Sequence, residues 1–267
     1  MDSTGPNVHI MDTPSVAGAQ AINRAANVLR AISTSMPDGA GTTEVARKAG
    51  VPRPTTHRLL SALTVEGFVD RDQRTGRWTL GPELYLMGTV AAERYDITHP
   101  AREHVDALAA ATGESAFFSV RRGNETVCLL RTDGSFPIRS FVLYEGKRFP
   151  LGVATAGLAV LSFLPDAVID EYLEDIHLEP EYGEAHSANA LRQRIETTRR
   201  NGYALNPGLI VEGSWGMGAA VFAPSGQPAW AFSLTGIESR FTSQRQPELG
   251  GLLLDHAHQL TQQLAKQ

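Results

Sequence analysis

The chain has one cysteine in 267 residues, Cys128, so it can form neither an internal disulfide nor a zinc site built from several thiolates. No apolar run approaches the roughly 18 residues of a spanning helix, and the opening MDSTGPNVHIMDTPSVAGAQ lacks the basic and apolar regions of a signal peptide. A soluble, cytoplasmic protein is expected. Phosphate-loop and dinucleotide fingerprints are missing, and GSWG around Ser214 lacks the two flanking glycines of a nucleophile elbow. His256 and His258, two apart, would point to different sides of a helix and make a poor metal pair. No metal or cofactor is expected. An excess of positive charge is also missing, since the net charge is −5.

The composition, 42% hydrophobic and 20% charged, is that of a chain able to bury a sizeable core and long enough for two domains. Charge is unevenly placed. Residues 98–267 carry 14 Lys/Arg against 19 Asp/Glu, whereas residues 1–97 carry 10 of each. Within the first part, residues 53–77 hold Arg53, Arg58, Arg71, Arg74 and Arg77 against Glu66, Asp70 and Asp72. A duplex attracts such a local basic patch whatever the net charge of the chain.

Periodicity explains the placement. AINRAANVLRAIS carries Ile22, Ala25, Ala26, Leu29 and Ile32 at the spacing of one helix face. TTEVARKAG reads as a second helix, with Thr42 or Thr43 as N-cap and Gly50 as its end. A third helix follows the turn GVPR, with Pro54 at an early position where its missing N–H costs nothing. On a helical wheel Thr56, Leu59, Leu60 and Leu63 share one side, and Pro54, His57, Arg58 and Ser61 the other. FVDRDQRTGRWTLG then reads as two short strands turning at Thr75 and Gly76. Helix, helix, turn, helix and basic hairpin is the order of a winged helix-turn-helix, whose third helix enters the major groove while the hairpin follows the backbone or minor groove. The candidate DNA contacts are Arg53, Thr55, His57, Arg58 and Ser61 on the helix and Arg71, Arg74 and Arg77 on the hairpin. The first 18 residues, polar and bearing Pro and Gly, read as a loose tail without a basic arm.

Beyond Gly81, PELYLMGTVAAERYD places Leu84, Met87, Val90 and Ala91 at helical spacing. This helix is either core or a linker between domains. From residue 98 onward helical and strand patterns alternate: HVDALAAATGE, AGLAVLSF, PDAVIDEYLE and ANALRQRIETTRR as helices, SAFFSVRR, ETVCLLRTD and IRSFVLYE as strands, then two strands around Pro224, Ser225 and Gly226 and a final helix. Short turns between paired strands predict an antiparallel sheet with packed helices, an α+β fold.

The segments GVPRPTTHRLLSALTVEGFV, GRWTLG, NGYALNPG and MGAAVFAPSGQPAWAFSLTG resemble those of the IclR family of bacterial transcription regulators, over about residues 20–260. The resemblance implies a winged helix-turn-helix (19–81), a linker helix (82–97) and an effector domain similar to a GAF fold (98–267) that also mediates oligomerisation. A homodimer or homotetramer is implied, on a roughly palindromic DNA operator, with a small-molecule effector. It also implies an effector site lined by Ile138, Phe141, Phe149, Thr155, Ala156, Asn206, Ser214, Gly216, Ser233 and Thr235. Asn206 stands where many members carry an acid, Gly216 where several carry Cys, and Gly152 where His is common. The lost carboxylate and the gained volume, beside Phe141, Phe149 and Trp215, suggest an effector larger and more aromatic than a short keto acid. The expected protein is no enzyme but a ligand-responsive regulator, more readily a repressor of a neighbouring catabolic operon than an activator. The alternative, an enzyme with an accessory DNA module, has no nucleophile with a base to support it.

Overall fold

A computed structural model describes residues 19–94 and 97–266, and the expected N-terminal tail lies outside them. The chain divides into two compact units, residues 1–95 and 96–267.

In the first unit, α1 (Gln20–Ser33), α2 (Thr42–Ala49) and α3 (Arg53–Val65) precede β1 (Val69–Arg71), β2 (Trp78–Leu80) and α4 (Pro82–Arg94). Val28, Ile32, Val45, Leu60, Val69 and Trp78 form the core. Trp78 joins the parts: its backbone exchanges hydrogen bonds with Ala40, at 2.9 and 3.0 Å, and its indole N–H donates to Thr42 Oγ1 at 2.9 Å. Thr42 is therefore not a cap. Gly41 holds that position, and the hydroxyl that could have capped the helix accepts from Trp78 instead. The face of α1 also differs from expectation, because Val28, Ala31 and Ile32 are buried and Ile22 is 72% exposed. Gly81 must be glycine, since a Cβ there would lie 2.3 Å from the Gly67 carbonyl oxygen.

The second unit is a six-stranded antiparallel sheet between two helical layers. Its order is β5 (Arg148–Pro150), β4 (Glu125–Thr132), β3 (Ser115–Arg122), β8 (Pro228–Ile237), β7 (Ser214–Phe222), β6 (Ala204–Pro207). Alternation along each strand sends one set of side chains to each face. Phe118, Met217, Phe232 and Leu234 pack with α5 (Thr98–Thr112) and α10 (Gln246–Leu264). Phe117, Cys128, Ala220 and Ala231 pack with α6 (Thr155–Ser162), α7 (Asp166–Asp175) and α9 (Ala188–Asn201). A single turn, α8 (Glu179–Tyr182), lies between α7 and α9.

IRSFVLYE is not a strand. After β4 the chain runs irregularly from 133 to 147, with Asp133 bound by Arg131 at 2.7 Å and Arg139 at 2.8 Å, and Pro137 has no N–H to offer a ladder. The edge beside β4 is taken by β5, which sequence reading missed together with β6. Buried Glu114 accepts from Arg240 Nε and Arg245 Nη1, each at 2.7 Å, tying the start of β3 to the end of β8 and the start of α10.

Cys128 is a buried thiol whose pKa is pushed up to about 12 by desolvation, which makes it an inert core group. His104 on α5 and His256 on α10 meet across the outer layer, Nδ1 to Nδ1 at 2.8 Å. One ring must donate and the other accept, so two imidazoliums cannot share this contact. Desolvation first, and His104 second, hold His256 below its ordinary pKa. The folded state thus binds fewer protons than the unfolded one in the interval just below the ordinary histidine pKa, about 6.5. Stability should be full above that pH and fall as pH decreases through it. The urea midpoint is expected to drop between pH 7 and 5.5, and to drop less in His256→Gln. Identical pH profiles for the two proteins would show that the pair does not control the decline.

Candidate functional site

The exposed side of α3 carries Arg53, Pro54, His57, Arg58 and Ser61, with Thr55 half-buried beside them. Leu60 and Thr56 are fully buried on the other side. Thr56 Oγ1 donates to the Val51 carbonyl at 3.1 Å, fixing the turn before the helix. In the hairpin, Val69 pairs with Leu80 and Arg71 with Trp78. Asp72 Oδ1 accepts from the backbone N–H groups of Arg74 and Thr75, both at 2.7 Å, and these bonds hold its carboxyl below the usual range. The tip is therefore shaped by a side chain that sequence reading counted only as charge.

The cations divide by what they already touch. Arg53, Arg58 and Arg74 have no side-chain partner among the described residues. Arg71 lies over the Trp78 ring, 5.4 Å from its centre. Arg77 is already engaged: its Nε donates to the Asp38 carbonyl at 2.9 Å and its Nη2 to the Gly39 carbonyl at 2.7 Å, so it anchors the hairpin to the segment before α2. Its partners lie 39 and 38 residues away, beyond the reach of a local reading.

In the second unit, a cleft lies against the α6 face of the sheet, lined by Val142, Leu143, Phe149, Ala154, Thr155, Asn206, Ile210, Ser214, Trp215, Gly216 and Thr235. Its free space is about 30 Å³, of the order of one water. The lining contains no ionisable side chain. Thr155 opens α6, whose first-turn N–H groups have no partner within the helix and carry the positive end of its dipole. Gly216 pairs with Thr235 and Gly218 with Ser233 across β7 and β8, and a Cβ on Gly218 would meet the Thr155 backbone at 3.2 Å. The two glycines let α6 press on the sheet.

Several expected lining residues are elsewhere. Phe141 is 73% exposed and Ile138 57%, because residues 133–147 form no strand to turn them inward; Arg131 sits over the Phe141 ring at 5.7 Å. Ala156 is buried in the core behind the cleft. A Cβ on Gly216 would meet Thr155 at 3.5 Å, so the space beside Gly216 belongs to Thr155 and not to a ring between Phe141 and Phe149. Asn206 lines the cleft with its amide already used: Nδ2 donates to the Val153 carbonyl at 3.1 Å and Oδ1 accepts from Leu209 N at 2.8 Å. Ser214 and Ser140 share a hydrogen bond of 2.6 Å.

Among the described residues, three buried hydroxyls have no hydrogen-bond partner: Ser115, Ser233 and Thr235. Ser115 and Thr235 face each other across β3 and β8, and Ser233 lies two residues deeper on the face of Thr235. Of the two strand hydroxyls expected at the site, Thr235 lines the cleft and Ser233 does not, while Val142, Leu143 and Ile210 line it without having been expected there.

A helix-turn-helix with an exposed basic helix, followed by an open antiparallel sheet domain with a polar-floored cleft, defines a DNA-binding regulator class. The chain belongs to the IclR family of bacterial transcriptional regulators. The model described as the IclR helix-turn-helix domain matches residues 21–73, and that described as bacterial transcriptional regulator IclR C-terminal matches residues 89–262. Over 222 residues the chain is 29% identical to the HTH-type transcriptional regulator KipR of Bacillus subtilis, covering 83% of this chain and 88% of that one. Over 261 residues it is 25% identical to the transcriptional repressor IclR of Escherichia coli, covering 94% and 92%. Among solved structures, Thermotoga maritima IclR matches with a TM-score of 0.71 at 24% identity, covering 92% of this chain and 99% of that one. An IclR homolog from Microbacterium hydrocarbonoxydans, solved with 4-hydroxybenzoate, matches at 0.75 and 20% identity, covering 92% and 100%. No described helix is long and apolar enough to cross a membrane. The protein is a DNA-binding transcriptional regulator of that family.

A buried hydroxyl without a partner costs about 1–3 kcal/mol in desolvation. Ser233→Ala removes that cost, so the ligand-free variant should be at least as stable as the wild type by urea midpoint. A loss above about 1 kcal/mol would reveal a hydrogen bond that Ser233 makes in solution.

Proposed function

We propose that the protein is a repressor that binds a roughly palindromic operator as a homodimer or homotetramer and is released or remodelled by a small aromatic acid. The observation that carries the DNA part is the exposed row Arg53, His57, Arg58 and Ser61 on α3, next to the unpaired Arg74 at the hairpin tip. A guanidinium on a helix in the major groove reads base edges or holds phosphates, and one on a hairpin tip follows the backbone. Arg71 keeps an exposed guanidinium stacked on Trp78 and can add a phosphate contact. The repressor sign rests on the names of the relatives, among them the acetate operon repressor of Salmonella typhimurium, 24% identical. The expected target is a neighbouring catabolic operon.

The oligomer reading rests on α4. Tyr85, Leu86, Met87 and Val90 are 52–73% exposed, an apolar helix face of the kind that a second subunit covers. One winged helix also reads few base pairs, and genomic specificity comes from two heads on two half-sites.

The effector reading rests on the cleft. Phe149, Ile210 and Trp215 suit a ring, while Thr235 and the first turn of α6 suit a carboxylate. The relative solved with 4-hydroxybenzoate supports that class. A benzoate needs more than about 30 Å³, so Val142 and Leu143 must yield on binding, with the Ser140–Ser214 hydrogen bond as the closure that opens.

Arg58→Ala is expected to lose about 1–3 kcal/mol of operator affinity, and Arg74→Ala to weaken all sequences alike and lower the salt slope by about one. Unchanged affinity in both variants, by fluorescence anisotropy on DNA from the adjacent intergenic region, would remove α3 as the reader.

Light scattering at micromolar concentration should give a dimeric or tetrameric mass, reduced by Met87→Glu together with Val90→Glu. A monomeric mass for the wild type, with and without DNA, would refute the assembly.

A further inference from the structure

Residues 151–154 run from β5 to α6 and are held on two sides. Asn206 donates to the Val153 carbonyl from the sheet. From α9, Arg194 Nη1 donates to the Gly152 carbonyl at 3.2 Å. The rest of the Arg194 guanidinium is unpaired: Nε and Nη2 are buried and have no hydrogen-bond partner. Desolvation alone acts on the group, with no carboxylate to offset it, and pushes its pKa down to about 10. The other arginines of α9 are provided for, Arg192 by Asp170, Arg199 by Asp166 and two carbonyls, and Arg200 by the Thr197 hydroxyl.

No carboxylate among the described residues acts on the Arg194 guanidinium. His186, 1% exposed, uses Nδ1 to bond the Tyr182 carbonyl at 2.8 Å. A carbonyl only accepts, so Nδ1 carries a proton, while the buried Nε2, near the Val153 carbonyl, makes no hydrogen bond of good geometry. Burial, and then the Arg194 charge, keep this imidazole below its ordinary pKa. A buried charge of this kind is stable only when paired. The two free atoms also share one edge of the guanidinium. Their N–H bonds run parallel, the fork that matches two oxygens of a carboxylate or tetrahedral oxyanion.

We propose that the Nε–Nη2 edge of Arg194 is a binding site for a small oxyanion, separate from the cleft lined by Thr155 and Thr235. The bound anion neutralises the guanidinium and leaves Nη1 on Gly152. An occupied site braces residues 151–154, and through them the start of α6, so anion occupancy stiffens one wall of the cleft. The same chemistry comes from two sources, a free oxyanion or the carboxyl group of a larger ligand. The site does not depend on the aromatic reading of the cleft.

The test uses the full chain in Tris chloride at fixed ionic strength, titrated by calorimetry with formate, selenate and 4-hydroxybenzoate. Formate and selenate are expected to bind saturably to the wild type and at least tenfold more weakly to Arg194→Met, with unchanged circular dichroism and operator binding. Arg194→Lys should weaken them to an intermediate degree, because an ammonium cannot present the fork. If 4-hydroxybenzoate weakens in step with formate, the carboxyl of the larger ligand uses the fork. If it is unaffected, the fork serves a free anion. If it fails to bind at all, the aromatic reading of the cleft falls and the formate result still decides this site. Should Arg194→Met not fold, anomalous diffraction from wild-type crystals soaked in selenate decides, with a peak expected at hydrogen-bond distance from Nε and Nη2. Water alone at the fork, a carboxylate of the chain itself there, or equal formate binding in wild type and Arg194→Met overturns the proposal.

Discussion

The approach of α6 to the sheet sets everything else in the second unit. Gly216 and Gly218 stand where β7 passes beneath Thr155, and a Cβ at Gly218 would lie 3.1 Å from the Phe232 carbonyl oxygen and 3.2 Å from the Thr155 backbone. Backbone cannot yield as a flexible side chain can, so a larger residue would lift the helix. With α6 pressed down, its first turn ends over the hydroxyls of Ser233 and Thr235. Residues 151–154 must then dive between sheet and α9, where Asn206 and Arg194 hold their carbonyls. Cleft, wall and buried guanidinium thus follow from two missing side chains.

Local rules made the first unit legible. The apolar and polar sides of α3, the glycine after α2 and the hairpin all follow from spacing within a few residues. What escaped was set at a distance: Trp78 claiming the Thr42 hydroxyl, and Arg77 reaching back to Asp38 and Gly39. In the second unit, IRSFVLYE alternates like a half-buried strand, but strand formation needs a partner edge, and β5 occupies the one beside β4. Phe141 and Ile138 fell outside the cleft for that reason. Arg194 was invisible in ANALRQRIETTRR, where four arginines look alike until the fold decides which lack a partner.

The unfavourable polar groups are not scattered. Of the described side-chain atoms that are buried and partnerless, Ser115, Ser233 and Thr235 line one strip of the sheet, and Arg194 and His186 lie behind residues 151–154. Elsewhere in the same unit, polar groups of equal burial are satisfied: Glu114 by two arginines, Tyr172 by the Leu151 carbonyl at 2.8 Å, Ser162 by Leu158 at 2.7 Å. A fold that pairs these groups so fully has the means to pair the others. The unpaired set concentrates where α6 meets the sheet, the pattern expected of a protein that keeps stability in reserve for a ligand.

That reserve is also what makes a regulator responsive. A ligand shifts an equilibrium only by the difference in its affinity for the two states. Hydroxyls and a guanidinium already satisfied by protein would gain nothing on binding, whereas each unpaired donor turns a standing cost into ligand affinity. Because the cleft of about 30 Å³ cannot admit a ring without movement of Val142 and Leu143, filling it and changing the conformation of its wall are one event. On the proposed reading of the cleft, the energy released at Thr235, the orphaned hydroxyl that lines it, is available to drive that movement, and a ligand too small to displace the wall would collect the hydrogen bond without sending a signal.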